Sequence, residues 1–146
     1  MNYYTLSPEV AGELGTNTVV DATVHPPVYE RLHYEFVNWL GDELLEAIAA
    51  FIVTERVAEW LHHAGLSGFR IAEVEVSLSP TGEELMSFDK ELMNFDELPN
   101  FWWLQVTGTP ENDDFGISSD SYLVVSEKAL KVLREGNIDN CLVDEI

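Results

Sequence analysis

The residues able to do chemistry are plentiful in this sequence and poorly arranged for it. Four histidines, one cysteine and 27 carboxylates stand among 146 residues. His62 and His63 are adjacent, and neighbours on a helix point about 100° apart, so they do not close on one ion as an i, i+4 pair does. At a helix end they read instead as groups that complement the negative C-terminal dipole. His25 and His33 have no second ligand at metal-like spacing. Asn112-Asp113-Asp114, with Gly116 and Asp120, is rich in oxygen. It lacks the alternating acidic ligands, central glycine and closing Glu of a calcium loop, and reads as a turn with acidic edges. Close carboxylates such as Glu73 and Glu75, or Glu83 and Glu84, would need a cleft and shifted pKa values for acid–base work. In so acidic a chain such neighbours arise by chance. No nucleophile elbow, Walker loop or dinucleotide fingerprint is present. Cys141 lies in an apolar run, which suits an inert core thiol. As the only cysteine it builds neither an internal disulfide nor a cysteine-based zinc site. The expectation is therefore no catalytic residue, no cofactor and no metal.

What the chain has instead is charge. Against 27 Asp and Glu stand 7 Lys and Arg, a net charge of −20, although charged residues are an ordinary 23% of the total. The acidity comes from missing bases. It leans toward the second half, with a net −12 from Val74 onward and −8 before it. Such a surface carries a negative field that attracts basic proteins and repels nucleic acid and anionic membrane, although acidity also serves solubility alone. The start of the chain does not read as a secretory signal, and no apolar run approaches the ~20 residues that span a bilayer. With a single cysteine, a reducing cytoplasm fits best.

The elements that position these groups read as one α+β domain over residues 1–146, with a mostly antiparallel or mixed sheet. Met1 to Ser7 reads as a strand, Gly12 and Gly15 as a loop, Thr18 to Val20 as a β-branched run, and Val28 to Phe36 as one half-buried strand with Arg31, His33 and Glu35 toward water. One pattern occurs twice. Phe51-Ile52-Val53 runs into Thr54-Glu55, and Leu123-Val124-Val125 runs into Ser126-Glu127. Each is a buried strand leading to a hydroxyl N-cap with an acid beside it. Gly65 and Gly136-Asn137 are the expected left-handed stops. Strand character then resumes at Val74, Val76 and Leu78, and at Cys141 to Ile146. Two short strand–helix–strand units packed on the sheet are expected, the first helix burying Val57, Leu61 and Ala64, the second Ala129, Leu130 and Leu133. A short helix is predicted over Gly82 to Met86. Phe101 to Thr107 reads as a strand with Phe115 to Ile117 as its hairpin partner.

Trp102 and Trp103 are neighbours on that strand, so one faces the core and the other lies at or near the surface. A surface Trp beside acidic loops would anchor an interface. By local charge and loop placement, the candidate partner-binding residues are Glu83, Glu84, Asp89, Glu91, Asp96, Glu97, Trp103, Glu111, Asp113 and Asp114.

Several motifs also resemble a known family. They are Val10-Ala11-Gly12-Glu13-Leu14-Gly15, His25-Pro26-Pro27 followed by Leu32-His33-Tyr34-Glu35-Phe36, and Trp39-Leu40-Gly41-Asp42-Glu43-Leu44-Leu45. Phe51 to Arg56, Asp113 to Gly116 and Leu123 to Glu127 continue the series. In order and spacing, from Val10 to Leu133, they are similar to small acidic bacterial proteins regarded as immunity proteins of polymorphic toxin systems. Ser87 to Asn100 departs most from that pattern. The resemblance implies cytoplasmic neutralisation of a cognate toxin, often a nuclease, by stoichiometric binding rather than by catalysis. The alternatives are a metal-assisted hydrolase built from scattered carboxylates and histidines, and a regulator of a basic protein unconnected with toxins.

Overall fold

The computed structural model describes residues 2–79 and 98–146. In chain order the described elements are strands β1 (Tyr3–Ser7), β2 (Gly12–Leu14), β3 (Val19–Asp21), β4 (Val28–Arg31), β5 (His33–Phe36), β6 (Leu44–Ala47) and β7 (Ala50–Thr54), helix α1 (Glu55–His63), strands β8 (Phe69–Ala72), β9 (Glu75–Leu78), β10 (Phe101–Val106), β11 (Phe115–Ile117) and β12 (Leu123–Ser126), helix α2 (Glu127–Leu133) and strand β13 (Leu142–Glu145). It is a small α+β fold with mostly antiparallel sheets. Two four-stranded sheets run β11-β12-β1-β13 and β6-β7-β10-β8, with a three-stranded β2-β5-β9 and a ribbon β3-β4 beside them. Among the named pairs only β5 with β9 is parallel.

The sheet β6-β7-β10-β8 is the middle of the molecule, because it is apolar on both faces. All five residues of β7 are buried. Their side chains alternate, as strand geometry requires. Phe51 and Val53 join Leu44, Leu104, both helices and the sheet β11-β12-β1-β13 in one core. Ala50 and Ile52 join Leu45, Phe101 and Trp103 in a second core, closed by Leu32, Tyr34 and Phe36. A continuous apolar run is what a strand covered on both sides must have.

Neither helix is followed by a strand lying beside the one before it. β10 occupies the place between β7 and β8, antiparallel to both, and β1 does the same between β12 and β13. The expected hairpin of β10 with β11 does not form, since β11 pairs with β12. After β10 the chain turns at Gly108, where a Cβ would come within 2.2 Å of the Phe115 carbonyl oxygen. It then crosses to the other sheet and puts the Phe115 ring in the core.

The segment Val28 to Phe36 is two strands, not one. It divides at buried Leu32, whose carbonyl accepts the Glu75 N–H. Among the described residues β4 pairs only with β3, with Val28 exposed, while β5 pairs with β2 and β9. Gly12 to Leu14 is therefore strand rather than loop. His33, expected in water, is buried because Gly15 lies against its ring, with no room for a Cβ. Its Nδ1 accepts the Asn17 N–H, so Nε2 carries the proton and donates to Ser77 Oγ at 2.7 Å.

The helix starts tie the two main sheets together. Ser126 Oγ accepts the Ala129 N–H at 3.1 Å and donates to Asp114 Oδ1 at 2.6 Å. Thr54 stands at the corresponding position, but its hydroxyl makes no cap bond. It donates instead to Glu43 Oε2 at 2.7 Å. The N–H groups of Ser126 and Thr54 bond the carbonyls of Asp114 and Glu43 respectively. Each carboxylate then reaches across the molecule. Asp114 Oδ2 accepts the N–H of Ser67, in the loop after α1, and Glu43 Oε1 accepts the N–H of Asn137, in the loop after α2, both at 2.9 Å. Arg56 also pairs with Glu43. On α1 the buried residues are Val57, Ala58 and Leu61, while Ala64 is the exposed C-cap; on α2 they are Ala129, Leu130 and Leu133 as expected. Gly65 has the left-handed φ of +67°; Gly136 does not, and α2 ends on Arg134 in the right-handed region.

Losing Ser126 removes both a cap and a donor to Asp114. Ser126→Ala should therefore cost about 2 kcal/mol in urea unfolding. Thr54→Val should cost about 1 kcal/mol, because Glu43 retains Arg56 and Asn137. Equal losses would contradict this difference.

Candidate partner-binding surface

Among the sequence candidates, Glu83, Glu84, Asp89, Glu91, Asp96 and Glu97 lie outside the described residues, as does the helix expected over Gly82 to Met86. Glu111, Asp113 and Asp114 share the turn between β10 and β11. Glu111 is exposed at a positive φ of 64°. Asp113 Oδ2 accepts the Thr109 N–H, which folds the turn. Asp114 is committed to Ser67 and Ser126, and its cross-brace makes it a structural carboxylate.

Trp103 is corrected as a surface anchor. It is 7% exposed and packs in the second core, with Ile52 and Ala72 opposite it on the neighbouring strands. The partly exposed neighbour is Trp102, which points to the α1 side of the sheet. It closes a hollow of about 310 Å³ with Glu55, Glu59 and His62.

The carboxylates that enter the interior are satisfied mainly by N–H and O–H donors. Glu9 accepts the N–H groups of Leu40 and Asp42, and Asp42 accepts from the backbone and side chain of Asn140. The Arg56 hydrogen bonds hold the Glu43 carboxyl down at about 2 against its burial, helped by Thr54 and Asn137. Burial works against ionisation of Asp114, but Ser126 and Ser67 together hold it below the usual range. Glu9 and Glu46 are shifted the other way, since burial outweighs the amides that bond them.

Ion pairs are few. Among the described residues they are Arg31 with Glu75 at 3.1 Å and Arg56 with Glu43; the neutral His33 ring also lies 3.6 Å from Glu75, as a polar contact and not an ion pair. No three His, Cys, Asp or Glu side chains among the described residues come together in a way that would hold a metal ion. Cys141 is partly buried, and desolvation with the nearby Asp42 charge pushes its thiol up to about 11. No described helix is long and apolar enough to cross a membrane.

One feature was not legible as a site in the sequence. β6 and β7 are joined by Ile48 and Ala49 at φ 45° and 60°. Two-residue hairpin loops with both φ values positive ordinarily carry Asn-Gly or Asp-Gly. Here a β-branched residue occupies the strained position with 67% of its surface exposed. Together with Val10 and Tyr122, also exposed, Ile48 lines a hollow of about 380 Å³, separate from the one beside Trp102. Ala47-Ile48-Ala49-Ala50 contains no turn residue, so nothing in it marks a hairpin tip.

Comparison with protein-family models, with curated proteins and with solved structures finds no match to this chain.

Two outcomes follow for stability. Ile48→Asn relieves the positive φ without giving up burial, so it should stabilise by about 1 kcal/mol and raise Tm by about 3 °C in a thermal melt. An unchanged or lower Tm would mean the turn is unstrained. For pH, the raised carboxyls of Glu9 and Glu46 favour the folded state as they protonate, so stability should rise as pH falls from neutrality toward their ordinary value of 4.5. The depressed carboxyl of Glu43 contributes stability that is present above its unfolded value of 4.5 and lost as pH drops toward 2. Urea midpoints should therefore be higher near the ordinary glutamate value of 4.5 than at neutral pH and fall again toward pH 2; a steady decline from neutral pH would contradict this.

Proposed function

We propose that the chain is an immunity protein that binds a cognate basic toxin domain, a nuclease among the candidates, and neutralises it by forming a stoichiometric complex in the cytoplasm. The observation that carries this reading is the unneutralised charge. The chain holds −20, and among the described residues only two of its arginines are engaged with carboxylates. A surface of that kind speeds encounter with a basic protein and disfavours nucleic acid as a partner. Acidic groups would take the place of the phosphates that a nuclease toxin expects. The resemblance of the motifs from Val10 to Leu133 to polymorphic-toxin immunity proteins supports the same reading. In this proposal the two strand–helix–strand units, cross-braced through Glu43 and Asp114, form a rigid platform. Rigidity matters because a surface already in its binding conformation loses less entropy on association.

Co-expression with the product of the adjacent gene tests the proposal. That product should be toxic alone, harmless beside this protein, and recovered with it in a one-to-one complex. A product that is harmless alone, or that stays toxic and unbound, would overturn it. Charge makes a separate prediction for the isolated chain. Because repulsion among unpaired carboxylates opposes compaction, sodium chloride up to a few hundred millimolar should raise Tm. A flat or falling curve would show that the charges are compensated within the fold.

A further inference from the structure

We propose that the apolar hollow bordered by Val10, Ile48 and Tyr122 is where the basic partner docks, and that the partner presents an apolar centre ringed by lysines and arginines. This rests on the proposed function and names its surface.

Exposed apolar side chains gather here. Val10 is 66% exposed, Ile48 67% and Tyr122 48%, and all three line a hollow of about 380 Å³. A second hollow, of about 530 Å³ and with exposed Val24 and Val28 on its wall, adjoins it. The two share His25, Pro27 and Ala49. Five of the nine large apolar side chains exposed among the described residues therefore border one continuous depression. Contiguous exposure of this kind marks interaction sites, whereas single exposed residues need no explanation.

Backbone strain converges on the same place. Of the four non-glycine residues with positive φ among the described residues, Ile48, Ala49 and Ser121 all line the first hollow. Such conformations are costly and persist where the surrounding structure imposes them, commonly at functional sites. At the tip of β6-β7 the consequence is specific. Asn or Gly would suit the turn better, yet Ile48 holds a branched aliphatic group out to solvent.

Charge selects the occupant. Glu46 and Asp120 line the first hollow, where no Lys or Arg stands, and Arg70 is the one such cation lining the second. A second copy of this chain would bring another −20 to a surface that is already acidic. A partner with a basic rim gains from the same field, and its apolar centre covers the aliphatic group.

The test uses the full chain and two synthetic probes: an amphipathic helical peptide of leucine and lysine, and hexa-arginine as a purely electrostatic control. Both are titrated at low salt by calorimetry and followed by amide NMR. The leucine–lysine peptide should bind more tightly than hexa-arginine and shift amides at Val10, Ile48 and Tyr122. Ile48→Asp should weaken it at least tenfold while changing hexa-arginine binding less than twofold. Ile48→Asn, which suits the turn and so protects the fold, should weaken the leucine–lysine peptide in the same direction. If that peptide binds but neither variant affects it, this surface is wrong and the basic-partner reading stands. If neither peptide binds, the basic-partner reading fails and this proposal with it. If sedimentation shows a dimer of the chain alone that Ile48→Asp dissociates, the occupant is a second copy and the proposal is overturned.

Discussion

This fold is built under a shortage of cations. Against 27 carboxylates stand 7 Lys and Arg, and among the described residues only Glu43 and Glu75 pair with an arginine. The acids drawn inward are mostly met by backbone amides and hydroxyls instead. Glu9, Asp42 and Asp114 accept hydrogen bonds from such donors or from an Asn side chain, and Glu43 adds a guanidinium. Hydrogen bonds to a charged acceptor are stronger than neutral ones, so these contacts hold considerable leverage over the loops they bind. Each places an acid where a loop has spare N–H groups.

The cross-bracing by Glu43 and Asp114 is the architectural result. In each main sheet an acid just ahead of one strand bonds the hydroxyl residue that starts the helix, then pins the loop behind the opposite helix. The shared core between the sheets supplies the bulk of burial, but burial is non-directional. Directional bonds across the two sheets specify how they sit against one another. Because these acids are consumed by structure, they are poor candidates for partner contact, and the proposed contact surface moves to the apolar depression around Ile48.

The parts of this fold that could be read directly were those governed by local rules. Phe51-Ile52-Val53 and Leu123-Val124-Val125 are buried on both faces, which leaves a continuous apolar run, and Ser126 is followed by an acid as N-caps commonly are. The opposite orientations of Trp102 and Trp103 follow from strand geometry, but which one is buried depends on what covers each face. Non-local constraints were invisible. β6 carries no local signal, because Leu44 to Ala47 contains no alternation and its turn no Gly or Asn. His33 is buried only because Gly15, eighteen residues away, makes room for its ring. Thr54 carries the residue type of a cap, yet its hydroxyl is claimed by Glu43. The pairing of β11 with β12 depended on a crossing between sheets that a short hydrophilic turn does not announce.

The central claim is that interior carboxylates are divided by their donors: where the donors together outweigh burial the acid titrates below its ordinary value, and where burial outweighs them it titrates above. Carboxyl carbon NMR across a pH titration of the folded chain measures this directly. The account predicts that Glu43 and Asp114 titrate below ordinary glutamate and aspartate, and that Glu9 and Glu46 titrate above ordinary glutamate. If Glu43 and Asp114 titrate at ordinary values, the braces do not exist as described and the account is contradicted.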